Sequence, residues 1–375
     1  MKIGYTLGSL LSLLLLAACG GEQPAGGKKS ATSSTSSVQP KKAASASKPA
    51  SKPAQKPKKK STSKRGSKRV RRPRVDFRMV KALYGNDPLS PKPAVPSTPE
   101  MVALGKTLYH NEDLSQKGNV SCATCHDLST YGVDHKVTSS GSAGESGDRN
   151  ALSTYNSSRY FRQFWDGRSE TVEDVTLAHL LSPTANGLAD EAAVLAKINA
   201  NAELVEGFKK AFPADENAVS VANLGNAVGA FARTLTTSSK WDEYLDGNQR
   251  ALSNEELLGF KTFMDVGCNT CHLTRTLGGN AYQKLGVYVP YKGKDTGRMR
   301  VTGNEADKYS FRVPSLLNVE KTAPYYHDGS MATLEDAVAD MVKNQITAKV
   351  TPEQIASIVL FLKALTGKLP EEFVK

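Results

Sequence analysis

Two copies of the pattern Cys-x-x-Cys-His constrain this chain more than any other feature of its sequence. They occupy residues 122–126 and 268–272, and they contain four of the five cysteines among 375 residues. At this content of Cys and His, chance would produce about 0.001 such patterns. In c-type haem attachment the two thiols bond to the porphyrin and the adjacent His binds the iron. The motifs therefore predict two covalently bound haem c groups.

Two other uses of these motifs explain the sequence less well. A structural zinc site usually has four ligands, whereas each motif offers three at an unfavourable spacing. A redox-active cysteine pair would not explain why a His follows both pairs. We therefore expect haem attachment and iron ligation by Cys122, Cys125, His126, Cys268, Cys271 and His272.

The stretches around both motifs predict helices. Thr98 followed by Pro99 is typical of a helix start, and Ser253 with Glu256 has the sequence pattern of a capping box. Residues 351–367 show the apolar spacing of an amphipathic helix. Because no stretch shows sustained strand alternation, we predict an all-α fold. It would comprise two cytochrome c-type haem domains packed together, at residues 76–245 and 246–375.

The charged residues are unevenly distributed along the chain. The formal charge is +12, with 49 basic and 37 acidic residues. Residues 20–75 hold 17 of the basic residues and one acidic residue, which gives +16, whereas residues 76–375 hold 31 basic and 36 acidic residues, which gives −5. The basic character therefore belongs to a tail, and we expect no nucleic-acid partner.

The N-terminal residues predict export and attachment to a membrane. Residues 1–18 have a short positive start and an apolar run that is too short to span a bilayer, as in a signal peptide. They end in Leu-Ala-Ala before Cys19, which resembles the lipobox of bacterial lipoproteins. An ordinary signal peptide is the alternative. With Gly20 after the Cys, we expect a lipid on Cys19 and a periplasm-facing position at the outer membrane.

Residues 19–75 have the composition of a disordered tether. They are rich in Lys, Ser, Ala and Pro and contain few sizeable apolar residues. Such a segment cannot bury enough surface to offset the entropy of ordering, and its like charges repel. We expect a leash between membrane and enzyme. The alternative is a polybasic patch that binds anionic lipid headgroups or peptidoglycan.

With two haem motifs at this separation, several further stretches resemble the bacterial dihaem cytochrome c peroxidase family, which includes the enzyme that matures methylamine dehydrogenase. The resemblance covers residues 88–367. The matching stretches are Leu-Gly-Lys-Thr-Leu-Tyr (104–109), Arg-Asn (149–150), Phe-Trp-Asp-Gly-Arg (164–168), Arg-Val-Pro-Ser-Leu (312–316) and Thr-Ala-Pro-Tyr-Tyr-His-Asp-Gly (322–329).

The resemblance implies a route for electrons. The C-terminal haem would be the high-potential entry site, held by His272 and by Met341, because a thioether ligand favours reduced iron. The alternative for Met341 is an ordinary core position. Its presence argues against the subgroup that matures methylamine dehydrogenase, where a Tyr has this role. Trp165 resembles the family's Trp between the haems, which either relays electrons or fills the interface.

The resemblance also implies a calcium site between the two domains. Asn150, Thr322 and Pro324 match the family's ligands, and amide and carbonyl oxygens suit Ca²⁺. His327, which follows the same segment, would form hydrogen bonds near the C-terminal haem. Relatives are often dimers, so the chain is compatible with a homodimer. Three arginines are candidates to pair with haem propionates: Arg168, Arg233 and Arg312.

The resemblance is incomplete at the N-terminal haem, where peroxide would react. Ser142 stands where the family often has a distal His, so we expect the sixth position of this iron to be open. Ala185 and Val175 stand where the family has a distal Glu and its partner Gln. The chain therefore lacks the usual acid–base group, of a kind that contributes about 10²–10⁴-fold.

Three explanations of this loss remain open. His179, four residues after Val175 on a predicted helix, could replace the Glu, although a surface or supporting His is equally compatible. Glu145 or Asp148, in a Gly- and Ser-rich loop, could move into the pocket. In the third explanation peroxide turnover is poor, and the two haems serve another purpose.

We predict an oxidoreductase of the cytochrome c peroxidase type, which reduces hydrogen peroxide to water. Electrons would come from a small cytochrome c or cupredoxin, enter at the Met341 haem and pass Trp165 to the His126 haem. One haem would then be low-spin and the other high-spin. The alternatives are a dihaem oxidase that modifies a partner protein or an organic substrate, and a non-catalytic dihaem electron-transfer or sensor protein.

Overall fold

The computed structural model describes residues 71–373. The predicted signal peptide, the lipid on Cys19 and nearly all of the predicted tether lie outside these residues. Within them no helix is long and apolar enough to cross a membrane. The α-helices of the described part are α1 (Phe77–Tyr84), α2 (Pro99–His110), α3 (Cys122–Cys125), α4 (Val172–Leu180), α5 (Glu191–Asn199), α6 (Ala202–Ala211), α7 (Val221–Thr234), α8 (Lys240–Leu245), α9 (Asn254–Val266), α10 (Met299–Thr302), α11 (Leu334–Gln345) and α12 (Pro352–Lys363).

The prediction of a helical fold is confirmed in outline, but the fold is not purely helical. Strands β1 (Tyr282–Lys284) and β2 (Ser310–Arg312) form a small antiparallel sheet in which Tyr282 is opposite Arg312. Each strand has only three residues, which is too short for an alternating pattern to be visible in the sequence. Several short 3₁₀ helices also occur, and one of them, Cys268–Thr270, forms the second haem motif.

The helix preceding each motif begins as the sequence predicts. The Thr98 hydroxyl accepts a hydrogen bond from the Met101 amide at the start of α2. At the start of α9, Ser253 and Glu256 form both bonds of a capping box, at 3.1 and 2.8 Å. These side chains satisfy amide groups that have no partner within the helix. The predicted helix starts are therefore confirmed.

Each motif is supported by a crossing pair of helices that meet at a glycine. In the N-terminal half α2 packs against α7, and in the C-terminal half α9 packs against α12. A Cβ atom at Gly105 would lie 2.0 Å from the Ala227 carbonyl oxygen, and one at Gly259 would lie 2.0 Å from the Ser357 carbonyl oxygen. Only glycine allows the two backbones to come this close. The same construction thus occurs twice.

Segments near both ends of the described chain pack into hydrophobic clusters of the opposite half. Val80 and Tyr84 of α1 lie in the core of the C-terminal half, together with Trp241 of α8. At the other end of the chain, Phe373 packs with Tyr109 in the N-terminal half. The described residues form one compact unit. The division at residue 245 into two haem domains stays a prediction.

Candidate active site

The first motif holds its histidine by backbone contacts. Cys122 and Cys125 lie on α3, and His126 follows directly. The Nδ1 atom of His126 donates to the Gly132 carbonyl oxygen at 3.2 Å, and the Tyr109 hydroxyl donates to the His126 carbonyl oxygen at 2.6 Å. The hydrogen bond at Nδ1 directs Nε2 away from the backbone. Metal-bound histidines in proteins typically use their second nitrogen in this way.

The second motif repeats this arrangement. The Nδ1 atom of His272 donates to the Leu277 carbonyl oxygen at 2.9 Å. Both histidines are half-buried, and desolvation lowers the pKa of each below its usual value. Each imidazole is therefore neutral near pH 7, which is the form that binds a metal ion. These features fit axial ligands of haem iron.

The four motif cysteines differ electrostatically from redox-active cysteines. None of them is in a disulfide. Burial raises the pKa of Cys122 to about 11 and that of Cys268 to about 12, and it also raises the pKa of Cys125 and Cys271. Reactive cysteines have lowered pKa values. Within residues 71–373 no cluster of three or more His, Cys, Asp or Glu side chains is suited to a metal ion, which disfavours the zinc alternative.

A cavity of about 430 Å³ adjoins the first motif. Its walls include Cys122 and His126, together with Trp165, His179 and Arg312 from later parts of the chain. The structure therefore brings together the first motif and both residues that the sequence proposed as catalytic. Thr176, which the sequence did not single out, also lines the cavity, and its buried hydroxyl has no hydrogen-bond partner among the described residues.

Arg312 supplies an unpaired buried cation beside this cavity. It is 2% exposed, and its Nε atom donates to the Phe164 carbonyl oxygen at 3.0 Å, while Nη1 has no partner within the described residues. Burial lowers the pKa of this guanidinium. A buried cation is costly without an anion. Arg312 is therefore suited to form an ion pair with a carboxylate in the cavity, such as a haem propionate.

The other two candidate arginines already have carboxylate partners. Arg233 on α7 donates two hydrogen bonds of 2.9 Å to Glu173 on α4. Arg168 pairs with Asp166 at 3.1 Å, and its guanidinium carbon lies 3.5 Å from the centre of the Phe164 ring. Of the three arginines proposed from the sequence, Arg312 is thus the one that lacks an anionic partner.

His179 lies next to the proximal histidine of the first motif. The centres of the His126 and His179 rings are 5.9 Å apart, with ring planes at 85°. Nδ1 of His179 donates to the Val175 carbonyl oxygen at 3.1 Å, and the Phe164 ring stacks on the imidazole at 5.0 Å. The pKa of His179 is lowered to about 4, mainly by burial and to a smaller extent by the proximity of His126. The imidazole is therefore neutral near pH 7.

The alternative acid groups lie elsewhere. Glu145 is exposed and is not part of the cavity wall, whereas Asp148 reaches the wall but is 63% exposed and pairs with Arg300 at 2.7 Å. Ser142 is buried, and its hydroxyl donates to Asn119 at 2.7 Å and accepts from the Lys117 amide at 2.9 Å. These bonds fix the loop position where the family often has a distal His.

Trp165 connects the cavity to the C-terminal half. Its indole Nε1 donates to the Asn150 carbonyl oxygen at 2.9 Å, and its ring centre lies 6.3 Å from that of His327. His327 is buried, stacks on Phe311 at 4.2 Å and bonds through Nε2 to the Tyr291 hydroxyl at 2.9 Å. The sequence did not indicate Phe311 or Tyr291, because both come from segments distant in the chain.

The residues proposed for calcium lie in neighbouring segments. The backbone N–H of Asn150 donates to the His327 carbonyl oxygen at 2.7 Å. This contact places Asn150 against the segment that follows Thr322 and Pro324. Nδ2 of Asn150 donates to the Lys136 carbonyl oxygen at 2.8 Å. This leaves the amide oxygen as the ligand that Ca²⁺ would use. The calcium site stays a prediction.

Met341 lies on α11, where its side chain is half-buried. Leu334 is the fully buried residue of this helix, while Val338 and Val342 pack partly buried against the C-terminal core. The apolar face of α11 is thus covered only in part by protein atoms, which suits a helix that also contacts a haem. Ligation by Met341 stays a prediction.

Comparison with known proteins agrees with the motifs. A family model described as di-haem cytochrome c peroxidase matches residues 99–250. The cytochrome c551 peroxidase of Nitrosomonas europaea is 40% identical over 300 residues, which is 79% of this chain and 89% of that protein. The cytochrome c551 peroxidase of Pseudomonas aeruginosa is 36% identical, covering 73% of this chain and 81% of the relative.

Among solved structures, a MauG-like protein associated with microbial copper homeostasis has a similar fold. Its TM-score is 0.68 at 27% sequence identity, and the match covers 77% of this chain and 96% of that protein.

Proposed function

Because the chain belongs to the di-haem cytochrome c peroxidase family, as its motifs indicated, we propose that it is an oxidoreductase that reduces hydrogen peroxide to water. The observation that carries this proposal is the cavity beside His126, which contains a second, neutral imidazole. The family implies two haem c groups, held by the two Cys-x-x-Cys-His motifs. When bound, these groups supply the storage and transfer of electrons and a metal site for peroxide.

The chain provides separate places for the entry of electrons and for the reaction. His272 and Met341 would hold the haem on the entry side, with a small periplasmic cytochrome c or a cupredoxin as donor. Trp165 would lie on the route to the His126 side, since it lines the cavity and contacts His327. The hydrogen bond from its indole to Asn150 keeps the ring in one orientation.

Peroxide reduction also requires protons to be moved. One hydrogen peroxide, two electrons and two protons give two water molecules, and the oxygen that leaves must be protonated. His179 is neutral, so its Nε2 atom can accept a proton from one oxygen of peroxide. It can then return this proton to the other oxygen, the one that leaves as water. It would replace the Glu that is absent at Ala185. General acid–base groups contribute about 10²–10⁴-fold.

Steady-state peroxide consumption with a reduced cytochrome c as donor tests this proposal. We expect turnover well above background, and we expect His179→Ala to lower it at least tenfold, at the low end of the effect of an acid–base group. His110→Ala is the matched control, because His110 is exposed at the end of α2. Turnover at background in the unaltered protein would contradict the proposal.

One observation favours a second candidate function. Ala185 lines the cavity where the family has a Glu, and the alternative Glu145 is exposed and is not part of the cavity wall. A dihaem oxidase that acts on a partner protein or organic substrate would not need the family's Glu for peroxide. Stoichiometric peroxide consumption without a protein donor, coupled to oxidation of such a substrate, would support this candidate.

We also propose the remaining features that the sequence indicated. The protein would be attached by a lipid on Cys19 to the outer membrane, facing the periplasm, with one Ca²⁺ at Asn150, Thr322 and Pro324. Mass spectrometry of the mature N-terminus tests the lipid. Metal analysis of the unaltered protein and of Asn150→Ala tests the calcium, and sedimentation tests whether the protein is a homodimer.

A further inference from the structure

The distance between His126 and His179 matches that of two ligands on one metal ion. A metal–imidazole bond is about 2 Å long, so two imidazoles on opposite sides of one metal ion have ring centres about 6 Å apart. The observed separation is 5.9 Å, and the ring planes are nearly perpendicular. Peroxide bound between the metal ion and the second imidazole would need a larger separation.

The hydrogen bonds of His179 are also those of a metal ligand. Its Nδ1 atom donates to a backbone carbonyl, as Nδ1 does in His126 and His272. No hydrogen bond within residues 71–373 uses its Nε2 atom, and the side chain is half-buried. Three half-buried histidines thus share the pattern by which proteins orient ligating imidazoles. Two of them are the expected haem ligands.

The position of His179 is fixed by contacts on several sides. Its helix α4 packs against α7 and is tied to it by the two hydrogen bonds between Arg233 and Glu173. The Phe164 ring stacks on the imidazole, and Arg168 in turn stacks on Phe164. These contacts favour one orientation of the side chain without enclosing it, so ligation costs little further ordering and a change of rotamer can still release the iron.

We propose that Nε2 of His179 is the second axial ligand of the His126 haem iron in the resting protein. The open sixth position expected from Ser142 would then be filled by a histidine from helix α4. The consequence for peroxide rests on the proposed function: His179 must leave the iron before peroxide can bind. The released imidazole remains beside the site, where it can act as the proton-transfer group.

Spectroscopy of the oxidised holoprotein tests this ligation. We expect electron paramagnetic resonance and absorption spectra to show two low-spin haems. His179→Ala should convert one of them to high-spin, and added imidazole should restore the low-spin signal. The rate of azide binding should rise at least tenfold in His179→Ala. His110→Ala should behave as the unaltered protein.

A second variant guards against misfolding of the first. In His179→Met the His126 haem should stay low-spin, and the near-infrared band of thioether ligation should gain intensity beyond the contribution of the Met341 haem. One high-spin haem in the unaltered protein, or spectra that His179→Ala leaves unchanged, would overturn the proposal. Peroxide turnover is measured separately, so a low-spin protein without turnover would reject the proposed function and keep the ligation.

Discussion

The two haem-attachment regions are built alike, but they differ in what lies beside the proximal histidine. Both histidines donate from Nδ1 to a backbone carbonyl, at 3.2 and 2.9 Å. The nearest aromatic neighbour of His126 is the imidazole of His179, whereas that of His272 is the Phe263 ring at 6.3 Å. The motif therefore determines attachment, while residues from other helices determine what each iron can do.

The surroundings of the two histidines differ in polarity as well. The cavity beside His126 contains the unpaired Arg312 and the unpartnered hydroxyl of Thr176. The second motif lies against a continuous apolar core, which Cys268 and Leu273 join as partly buried members. An apolar enclosure suits a haem that only passes electrons, and a polar cavity suits one that binds a substrate.

The largest expected effect is a change in the reduction potential of the His272 haem alone. Met341→Ala should lower the potential of the His272 haem by roughly 200 mV, because axial ligands shift haem potentials over about 0.8 V. Redox titration followed by absorption measures this. Met79→Ala, at an exposed position of α1, is the control. An unchanged potential would show that Met341 is only a core residue.

The next effect concerns the helix that carries His179. Glu173→Gln leaves the half-buried Arg233 without its charged partner, so we expect a loss of about 2 kcal/mol in the free energy of unfolding, between the values for exposed and for buried ion pairs. Lys210→Ala removes an exposed ion pair with Glu206 and should cost less than about 0.5 kcal/mol. Denaturant unfolding compares the two. Equal losses would indicate that the α4–α7 ion pair contributes nothing special.

A smaller effect tests the connection between the two regions. Trp165→Phe removes the indole and its hydrogen bond to Asn150 but keeps an aromatic ring. We expect transfer of electrons from the His272 side to the His126 side to slow about tenfold, which corresponds to about 1.4 kcal/mol in the barrier. Stopped-flow absorption measures the rate. An unchanged rate would leave Trp165 as a residue that fills the interface.

The smallest effect concerns the unpaired cation of the cavity. Positive charge near a haem favours the reduced form, so Arg312→Met should lower the reduction potential of the His126 haem. We expect a shift of roughly 30 mV, which is about half of the shift that a tenfold change in the equilibrium constant gives for one electron. Arg168→Met should have less effect, because Arg168 is exposed to solvent and pairs with Asp166. If both substitutions shifted the potential equally, Arg312 would have no special relation to the haem.

Local features of this structure could be predicted from the sequence, because short-range chemistry determines them. The capping pair Ser253 and Glu256 is an example, since both residues lie within four positions. The two motifs likewise carry their attachment chemistry in five consecutive residues. The family resemblance is confirmed for the same reason: its signals are contiguous.

The composition of the cavity could not be predicted in the same way, because it depends on long-range packing. From the sequence, Arg233 and Arg312 are equal candidates to pair with haem propionates. Only the structure shows that Arg233 pairs with Glu173, whereas Arg312 has no carboxylate partner among the described residues. The sequence offered His179 and Glu145 as equal alternatives. Their difference arises from the packing of α4 against α7, which brings one towards His126 and leaves the other exposed.

The packing of terminal segments into the opposite half has a mechanical consequence. Tyr84, near the beginning of the described chain, is buried with Trp241, and Phe373, at its end, packs with Phe231. Neither half can open without withdrawing an anchor from the other, so local unfolding of one haem region requires the cooperation of both. We therefore expect the distance between the two Cys-x-x-Cys-His motifs to stay constant unless both halves unfold together.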